Sequence, residues 1–330
     1  MRVNVEALYS AVFEAPAEDG PRLVLADALQ ELGDPRGEFI SLQLQQPRPQ
    51  RSERRMQKLL DRHRPAFLRK LHSSVMPEAT QRWERGFLTE ASVVLHGDQV
   101  EAPDWATVRK LEVLFGGTPP LELASPWMRS LKEISLAPLE AVPVLFGATR
   151  PLGVESVALQ GPADLQSWPL PEVELIGRAR SLPSLGKLTL QCQSPNFADA
   201  EWVWRMPILG KLKSLEFLGA FNGVPLEAML ARLRHLDQPP ANVVFHAAGL
   251  ELRFKRQDGF RSLVAQLQPF SEVHFLDSML RSIPPDAFDE VLITCPQPLE
   301  VADLAILKRA VKRLSLSNVS LPASSQGRMK

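Results

Sequence analysis

The densest group of chemistry-bearing side chains lies between residues 19 and 40, in the segment DGPRLVLADALQELGDPRGEFI. Its carboxylates Asp27, Glu31 and Glu38 would suit acid/base or metal chemistry if they converged. However, no histidine lies near them in the sequence, and Arg22 and Arg36 stand among them. We therefore predict an ion-pair network that clamps a corner between helices, in which Arg36 pairs with Asp27. The predicted network comprises Arg22, Asp27, Asp34, Arg36 and Glu38.

No other segment shows the spacing of a catalytic or metal site. The six histidines are scattered, and only His246 and His274 could meet, on neighbouring strands. Cys192 and Cys295 lie far apart and lack a CxxC partner, which favours buried thiols in a reducing compartment. Phosphate-binding glycine loops, HExxH and GxSxG are all missing from the sequence. We predict no catalytic residue, no cofactor and no metal.

Glycine and proline mark the ends of short helices around this polar segment. Residues 4–14 form an amphipathic first helix, and a second begins at Asp19-Gly20-Pro21. Gly33 can adopt the left-handed conformation that ends a helix. Asp34 and Pro35 then suit the N-cap and first position of a third helix. The pattern predicts a helical unit with tight corners.

The segment PAEDGPRLVLADALQELGDPRGEFISLQ resembles the bacterial repeat-companion domain, and the resemblance extends over about residues 5–95. The chain departs from the family at Leu25, where a tyrosine is usual, and at Ala28, where an aromatic residue is usual. The resemblance implies a helical companion to a repeat domain, often a leucine-rich one, without catalytic activity. The matching positions are Arg22, Asp27, Gly33, Asp34, Pro35, Arg36, Gly37, Glu38 and Phe39.

A basic helix is expected over residues 48–72, which contain nine Lys/Arg and two acidic residues. Its apolar stripe, Met56, Leu59, Leu60 and His63, turns most of the cations outward. One interpretation is a solvated helix. The alternative is binding of nucleic acid or another polyanion, because cations on one helix face neutralise phosphates.

Beyond residue 88 the pattern apolar-x-x-apolar-x-apolar recurs, most often every 18 to 31 residues. This spacing is near that of leucine-rich repeats, and alternation within each motif is typical of a strand with one buried face. Between the repeats, residues 225–268 are predicted to insert a helix (225–236), a hairpin (242–255) and another helix (259–268). The motifs are LTEASV, VRKLEV, LKEISL, VESVAL, LGKLTL, LKSLEF, FSEVHF, FDEVLI and VKRLSL.

Residues between the apolar positions should point to the open face of the sheet. They are mixed in charge and small, which suits a protein partner better than a polyanion, although a merely solvated face is almost as compatible. The candidate partner surface comprises Lys110, Glu112, Glu133, Ser135, Lys187, Thr189, Glu216, Glu272, His274, Glu290 and Arg313.

The sequence as a whole predicts an α/β protein. We expect a helical repeat-companion domain at residues 1–87, followed at 88–330 by an irregular leucine-rich-repeat-like solenoid with a mostly parallel sheet. Hydrophobic residues make up 45% of the 330 positions and the formal net charge is zero. A leader and a membrane-spanning run are both missing, so we predict a cytoplasmic protein. The expected role is a non-catalytic scaffold or adaptor that binds a protein.

Overall fold

The structure is a computed structural model of the 330-residue chain. It shows a mixed α/β protein with mostly parallel strand pairing. The chain divides into two compact units: unit 1 (Met1–Glu155 with Arg180–Ser184) and unit 2 (Ser156–Ala179 with Leu185–Lys330). The predicted boundary after residue 87 lies inside unit 1. The structure describes residues 4–47, 49–77, 79, 81–95, 102–114, 120–162, 167–191, 201–219, 226–247, 250–267, 288–294 and 314–317.

The first three helices of unit 1 begin and end where the polar residues, glycines and prolines predict, whereas the basic helix expected over residues 48–72 spans Gln50–Leu68. Asn4 Oδ1 accepts a hydrogen bond from the Ala7 backbone N–H at 3.2 Å, and Asp34 Oδ1 accepts one from Arg36 at 2.8 Å. Gly33, at φ +73°, connects two helices through a conformation that disfavours a side chain. The α-helices among the described residues of unit 1 are α1 (Val5–Glu14), α2 (Gly20–Glu31), α3 (Pro35–Leu44), α4 (Gln50–Leu68) and α5 (Val142–Phe146).

The strands of unit 1 lie side by side in chain order. The first pair is antiparallel and is joined by a turn at Gly86, whereas the next two pairs are parallel. The strands are β1 (Gln81–Glu84), β2 (Phe87–Val94), β3 (Lys110–Leu114) and β4 (Glu133–Pro138).

Unit 2 also keeps its strands in chain order. Pairing is parallel from β5 to β8 and again from β10 to β12, whereas β9 is antiparallel to both of its neighbours. The helices are α6 (Leu170–Arg178), α7 (Glu201–Trp204) and α8 (Leu226–His235). The strands are β5 (Ser156–Gln160), β6 (Lys187–Gln191), β7 (Ser214–Leu218), β8 (Asn242–Ala247), β9 (Leu250–Lys255), β10 (Ser262–Leu267), β11 (Glu290–Thr294) and β12 (Leu314–Ser317).

The repeated motif places its apolar residues in register on neighbouring strands. Leu188 on β6 lies opposite Val157 on β5 and Leu215 on β7, and all three are fully buried. Because side chains alternate along a strand, each unit buries one face that it could not bury alone. In every motif that is fully described, the last four residues lie on a strand. VKRLSL at 311–316 is described only from Leu314 onward, where it lies on β12, and FSEVHF at 270–275 lies outside the described residues.

The predicted insertion is correct in its first two parts and wrong in its third. Helix α8 and the hairpin of β8 and β9 lie where expected. Residues 259–268 were expected to be helical, but 262–267 form strand β10. Leu263 and Ala265 are buried, whereas Val264 between them is half-buried and Gln266 is exposed. This period of two, rather than the helix-forming Ala, Gln and Leu residues, determines the structure.

Two apolar clusters hold the helices of unit 1. In the first, Tyr9, Phe13 and Phe87 pack with edge-to-face rings 6.0–6.4 Å apart, which fastens α1 to the start of β2. In the second, Phe39 stacks on Phe67 at 5.3 Å and joins α3 to α4. The helices therefore share their core with strand residues of the same unit.

Candidate functional site

The strands of unit 2 contain four of the eight predicted partner residues that the structure describes, and the strands of unit 1 contain the other four. On the polar face of the unit 2 strands Thr189 lies opposite Glu216, which lies opposite Val244 on the next strand. These three residues are buried, with 7%, 9% and 1% of their surface exposed. Lys187, which lies two residues before Thr189 on the same strand, is exposed. Thr189 and Glu216 therefore form the floor of the face, not its outermost layer.

Glu216 is the best-connected carboxylate on this face. Its carboxylate accepts hydrogen bonds from Lys187 Nζ at 2.9 Å and from Ser214 Oγ at 3.1 Å. His246 Nε2 lies 3.2 Å from Oε2, the oxygen that Lys187 also contacts. Burial alone would raise the pKa of Glu216, but the contacts with His246, Lys187 and Ser214 lower that pKa to about 2. The group is a fixed negative charge near neutral pH.

The hairpin continues this row of charges. His246 Nδ1 lies 3.7 Å from a Glu251 carboxylate oxygen, and Arg253 donates to the other Glu251 oxygen at 2.8 Å. The sequence interpretation missed Glu251 and Arg253. The sequence signal was the predicted hairpin, whose alternation indicates which residues share a face. The antiparallel register, which places residue 246 opposite residue 251, is given by the structure. We call Lys187, Glu216, His246, Glu251 and Arg253 the charged row.

Unit 1 carries a similar but more exposed polar face. Lys110 Nζ on β3 lies 2.7 Å from the Glu133 carboxylate on β4, and both side chains are about two-fifths exposed. Ser135 Oγ donates to Glu133 at 3.5 Å, and Ser92 Oγ donates to Glu112. Lys110–Glu133 and Ser92–Glu112 are cross-strand pairs, whereas Glu133 and Ser135 lie on the same strand.

The remaining predicted surface residues are Glu290 and three positions outside the described part. Glu290 is half-buried on β11, opposite Ser262. Glu272, His274 and Arg313 lie outside the described residues, and so does the proposed approach of His246 to His274.

A groove of about 490 Å³ lies on the helices of unit 2. Val173, Trp202, Met206 and Pro207 supply its apolar lining. The Trp202 ring is half-buried and lies 5.7 Å from the Trp168 ring, whereas Trp204 is buried. Ion pairs within α6 (Glu174 with Arg178) and beside α7 (Glu201 with Arg205) border the groove.

The predicted ion-pair network is wrong at its centre. Arg36 is buried and donates to the carbonyls of Phe67 (2.6 Å) and Gly86 (3.2 Å), not to Asp27, which is exposed on α2. Its guanidinium lies 4.6 Å from the centre of the Phe87 ring, so it holds a cation–π position. Burial lowers the pKa of Arg36. Backbone acceptors, not carboxylates, satisfy this charge.

The other members of the network have separate roles. Arg22 is buried and donates to the carbonyls of Glu18 at 2.5 Å and Pro16 at 2.8 Å; burial and the nearby Arg85 lower its pKa to about 10. Asp34 caps α3, as expected. Glu38 forms a two-point ion pair with Arg55 on α4, at 2.6 and 2.7 Å. The charged side chains of segment 19–40 make structural contacts, although their partners differ from those predicted.

Within the ranges that the structure describes, no group of three or more His, Cys, Asp or Glu residues could hold a metal ion. In the same ranges, no helix has the length and apolar content needed to cross a membrane. Comparison of the chain with protein-family models, with curated proteins and with solved structures finds no match in any of the three.

Proposed function

We propose that this chain is a non-catalytic scaffold or adaptor that binds a protein partner through the polar face of its strands. The observation that carries the proposal is the charged row of unit 2. Five ionisable side chains from four neighbouring strands are placed on one face and fixed there by contacts with one another.

Fixed side chains lower the cost of binding, since association otherwise requires the ordering of long, flexible groups. Lys187 and Arg253 lie at the two ends of the row, and each is close to half exposed. Both can bind a partner's carboxylates. The floor of the face is formed by Thr189, Glu216 and Val244. Glu216 is charged, whereas the other two side chains are small and uncharged. Such a surface matches a protein with mixed charges better than a polyanion.

The proposal includes the architecture expected from the sequence. Parallel strands in chain order are compatible with an irregular leucine-rich-repeat-like solenoid, and α1 to α4 with a repeat-companion domain. A cytoplasmic location and a protein partner complete the hypothesis.

Exchange of two charges on the face tests the proposal. The double variant Lys187→Glu/Glu216→Lys keeps opposite charges adjacent but inverts their positions. We expect the tagged wild-type chain to retain a specific protein from a lysate of its own source, and this variant to lose it. Binding of the purified partner, measured by calorimetry, should fall at least tenfold.

The matched control is Glu174→Arg/Arg178→Glu, which exchanges an ion pair on α6 in the same unit. It should retain the partner at wild-type affinity, and thermal melting should show both double variants folded. Retention of the same proteins at the same affinity by the wild type and both variants, or retention of none, would contradict the proposal.

A further inference from the structure

One face of α4 carries a row of basic side chains. At 100° per residue, its five outward cations lie within an arc of about 100°, and the row extends about 16 Å along the helix axis. They are Arg51, Arg54, Arg55, Lys58 and Arg62, and all five are exposed.

Four of these cations have no counter-ion within the part of the chain that the structure describes. Arg55 is neutralised by its two-point pair with Glu38. For the remaining four, which we call the α4 basic row, no carboxylate lies within 4.0 Å among the described residues. The α4 basic row comprises Arg51, Arg54, Lys58 and Arg62.

The opposite face of α4 fixes the row in place. Met56, Leu59 and Phe67 are buried against Phe39, so α4 cannot rotate to change what it exposes. The two acidic residues of α4 are Glu53 and Asp61, and among the described residues neither lies within 4.0 Å of a cation of the α4 basic row. Asp61 accepts a hydrogen bond from Gln57 Nε2 at 2.7 Å and lies 3.9 Å from Arg64. Within the described residues, the helix therefore presents a rigid row of positive charges without paired carboxylates, in a chain whose net charge is zero.

The chemistry of this face favours one class of ligand. The large exposed hydrophobic residues of the described chain lie outside α4, so within that part the face offers neither an apolar anchor for a protein nor a wedge for a bilayer. It also lacks an exposed aromatic ring on which unpaired bases could stack. A duplex phosphate backbone, by contrast, is bound by cations alone, and guanidinium groups match phosphate in shape.

We propose that the α4 basic row docks the phosphate backbone of double-stranded nucleic acid without reading its sequence. The 16 Å row spans the axial length of about five phosphates on one strand, at about 3.4 Å each. Four neutralised phosphates predict a slope of about −3.6 for the logarithm of the binding constant against the logarithm of salt concentration. Affinity then falls about 100-fold between 50 and 200 mM salt.

Fluorescence anisotropy of the full chain with a labelled 20-base-pair duplex of arbitrary sequence tests the proposal. Replacement of all four residues of the α4 basic row by glutamine should abolish binding at 50 mM salt, and Arg54→Gln alone should reduce the slope by about 0.9. Because these side chains are exposed, we expect the variants to fold as the wild type does, which circular dichroism can verify.

The control removes the same number of positive charges elsewhere. It should bind the duplex with the wild-type affinity and salt slope. The control substitutions are Arg180→Gln, Lys211→Gln, Lys213→Gln and Lys255→Gln, all at exposed positions.

Two further probes separate the sources of a positive result: vesicles with anionic lipid, and polyglutamate. The proposal is overturned if the wild type does not bind the duplex at 50 mM salt or binds without a steep salt slope. It is also overturned if both fourfold variants lose binding equally, or if the loss affects only vesicles or polyglutamate. These outcomes leave the sheet-face proposal untouched, because that proposal is tested with different residues.

Discussion

Replacement of Glu216 by glutamine should change how the stability of the protein depends on pH. The side chain is 12% exposed, and its contacts with His246, Lys187 and Ser214 outweigh burial and place its pKa at about 2, below the ordinary 4.5. A difference of this size corresponds to about 3 kcal/mol of folding free energy. Glutamine has the same shape but does not titrate, so it cannot provide this contribution.

The sign of the effect follows from which state holds the proton more tightly. In the unfolded chain the carboxyl group binds a proton near pH 4.5, whereas in the folded chain it does so only near pH 2. The contribution of Glu216 is therefore complete above pH 4.5 and is lost as the pH falls from 4.5 towards 2. With these values, about 1 kcal/mol is lost between pH 6 and pH 3.5.

Urea unfolding followed by tryptophan fluorescence at pH 6, 5, 4 and 3.5 measures the effect. The difference in unfolding free energy between the wild type and Glu216→Gln should shrink by about 1 kcal/mol across this range. Glu133→Gln is the matched control, because Glu133 also pairs with a lysine across strands but is 41% exposed. Its effect should stay below about 1 kcal/mol throughout. Parallel pH curves for the wild type and Glu216→Gln would refute the reasoning.

Five further substitutions at four positions of unit 1 test its structural contacts by urea unfolding. Arg36→Met should destabilise the chain by about 2–4 kcal/mol, because it leaves two buried carbonyls without donors; a loss below 1 kcal/mol would show that water replaces the guanidinium. Gly86→Ala should lower the free energy of unfolding more than Gly33→Ala does, although both glycines have positive φ. A Cβ at Gly86 would lie 2.2 Å from Ile40 Cγ1, whereas a Cβ at Gly33 would meet open space. Equal losses of stability in the two variants would contradict this prediction. Asp34→Ala should cost about 1 kcal/mol by removing the cap of α3, and Asp34→Asn much less; equal effects would exclude the capping role.

Local patterns in the sequence predict most of the secondary structure. The positions of Gly33, Asp34 and Pro35 define a corner because backbone conformation and capping are local properties. The alternation in LGKLTL and LKSLEF predicts strands for the same reason, and their spacing predicts that they lie side by side. Strand β10 was predicted to be a helix because its residues have helical propensity, which the environment of a neighbouring strand overrides.

The contacts of charged side chains are less predictable, because they depend on how the elements pack. Arg36 and Asp27 are compatible in charge and close in sequence, but α2 turns Asp27 outward and α3 turns Arg36 into the core. One clue was present at Gly37, where a Cβ would lie 2.6 Å from the Ala26 carbonyl oxygen, so α2 and α3 must approach closely. The charged row likewise required the register of the hairpin, which places His246 against Glu251.

Strands that follow one another both along the chain and across the sheet have a consequence for how the protein reaches its native state. In unit 2 the pairing of β6 with β7 closes a loop of fewer than thirty residues, and β8 meets β9 across a short turn. Closure of short loops costs little entropy, so assembly can start at any such pair and spread to the adjoining strand. A destabilising substitution in one strand should then slow assembly most when it lies in the pair that forms first.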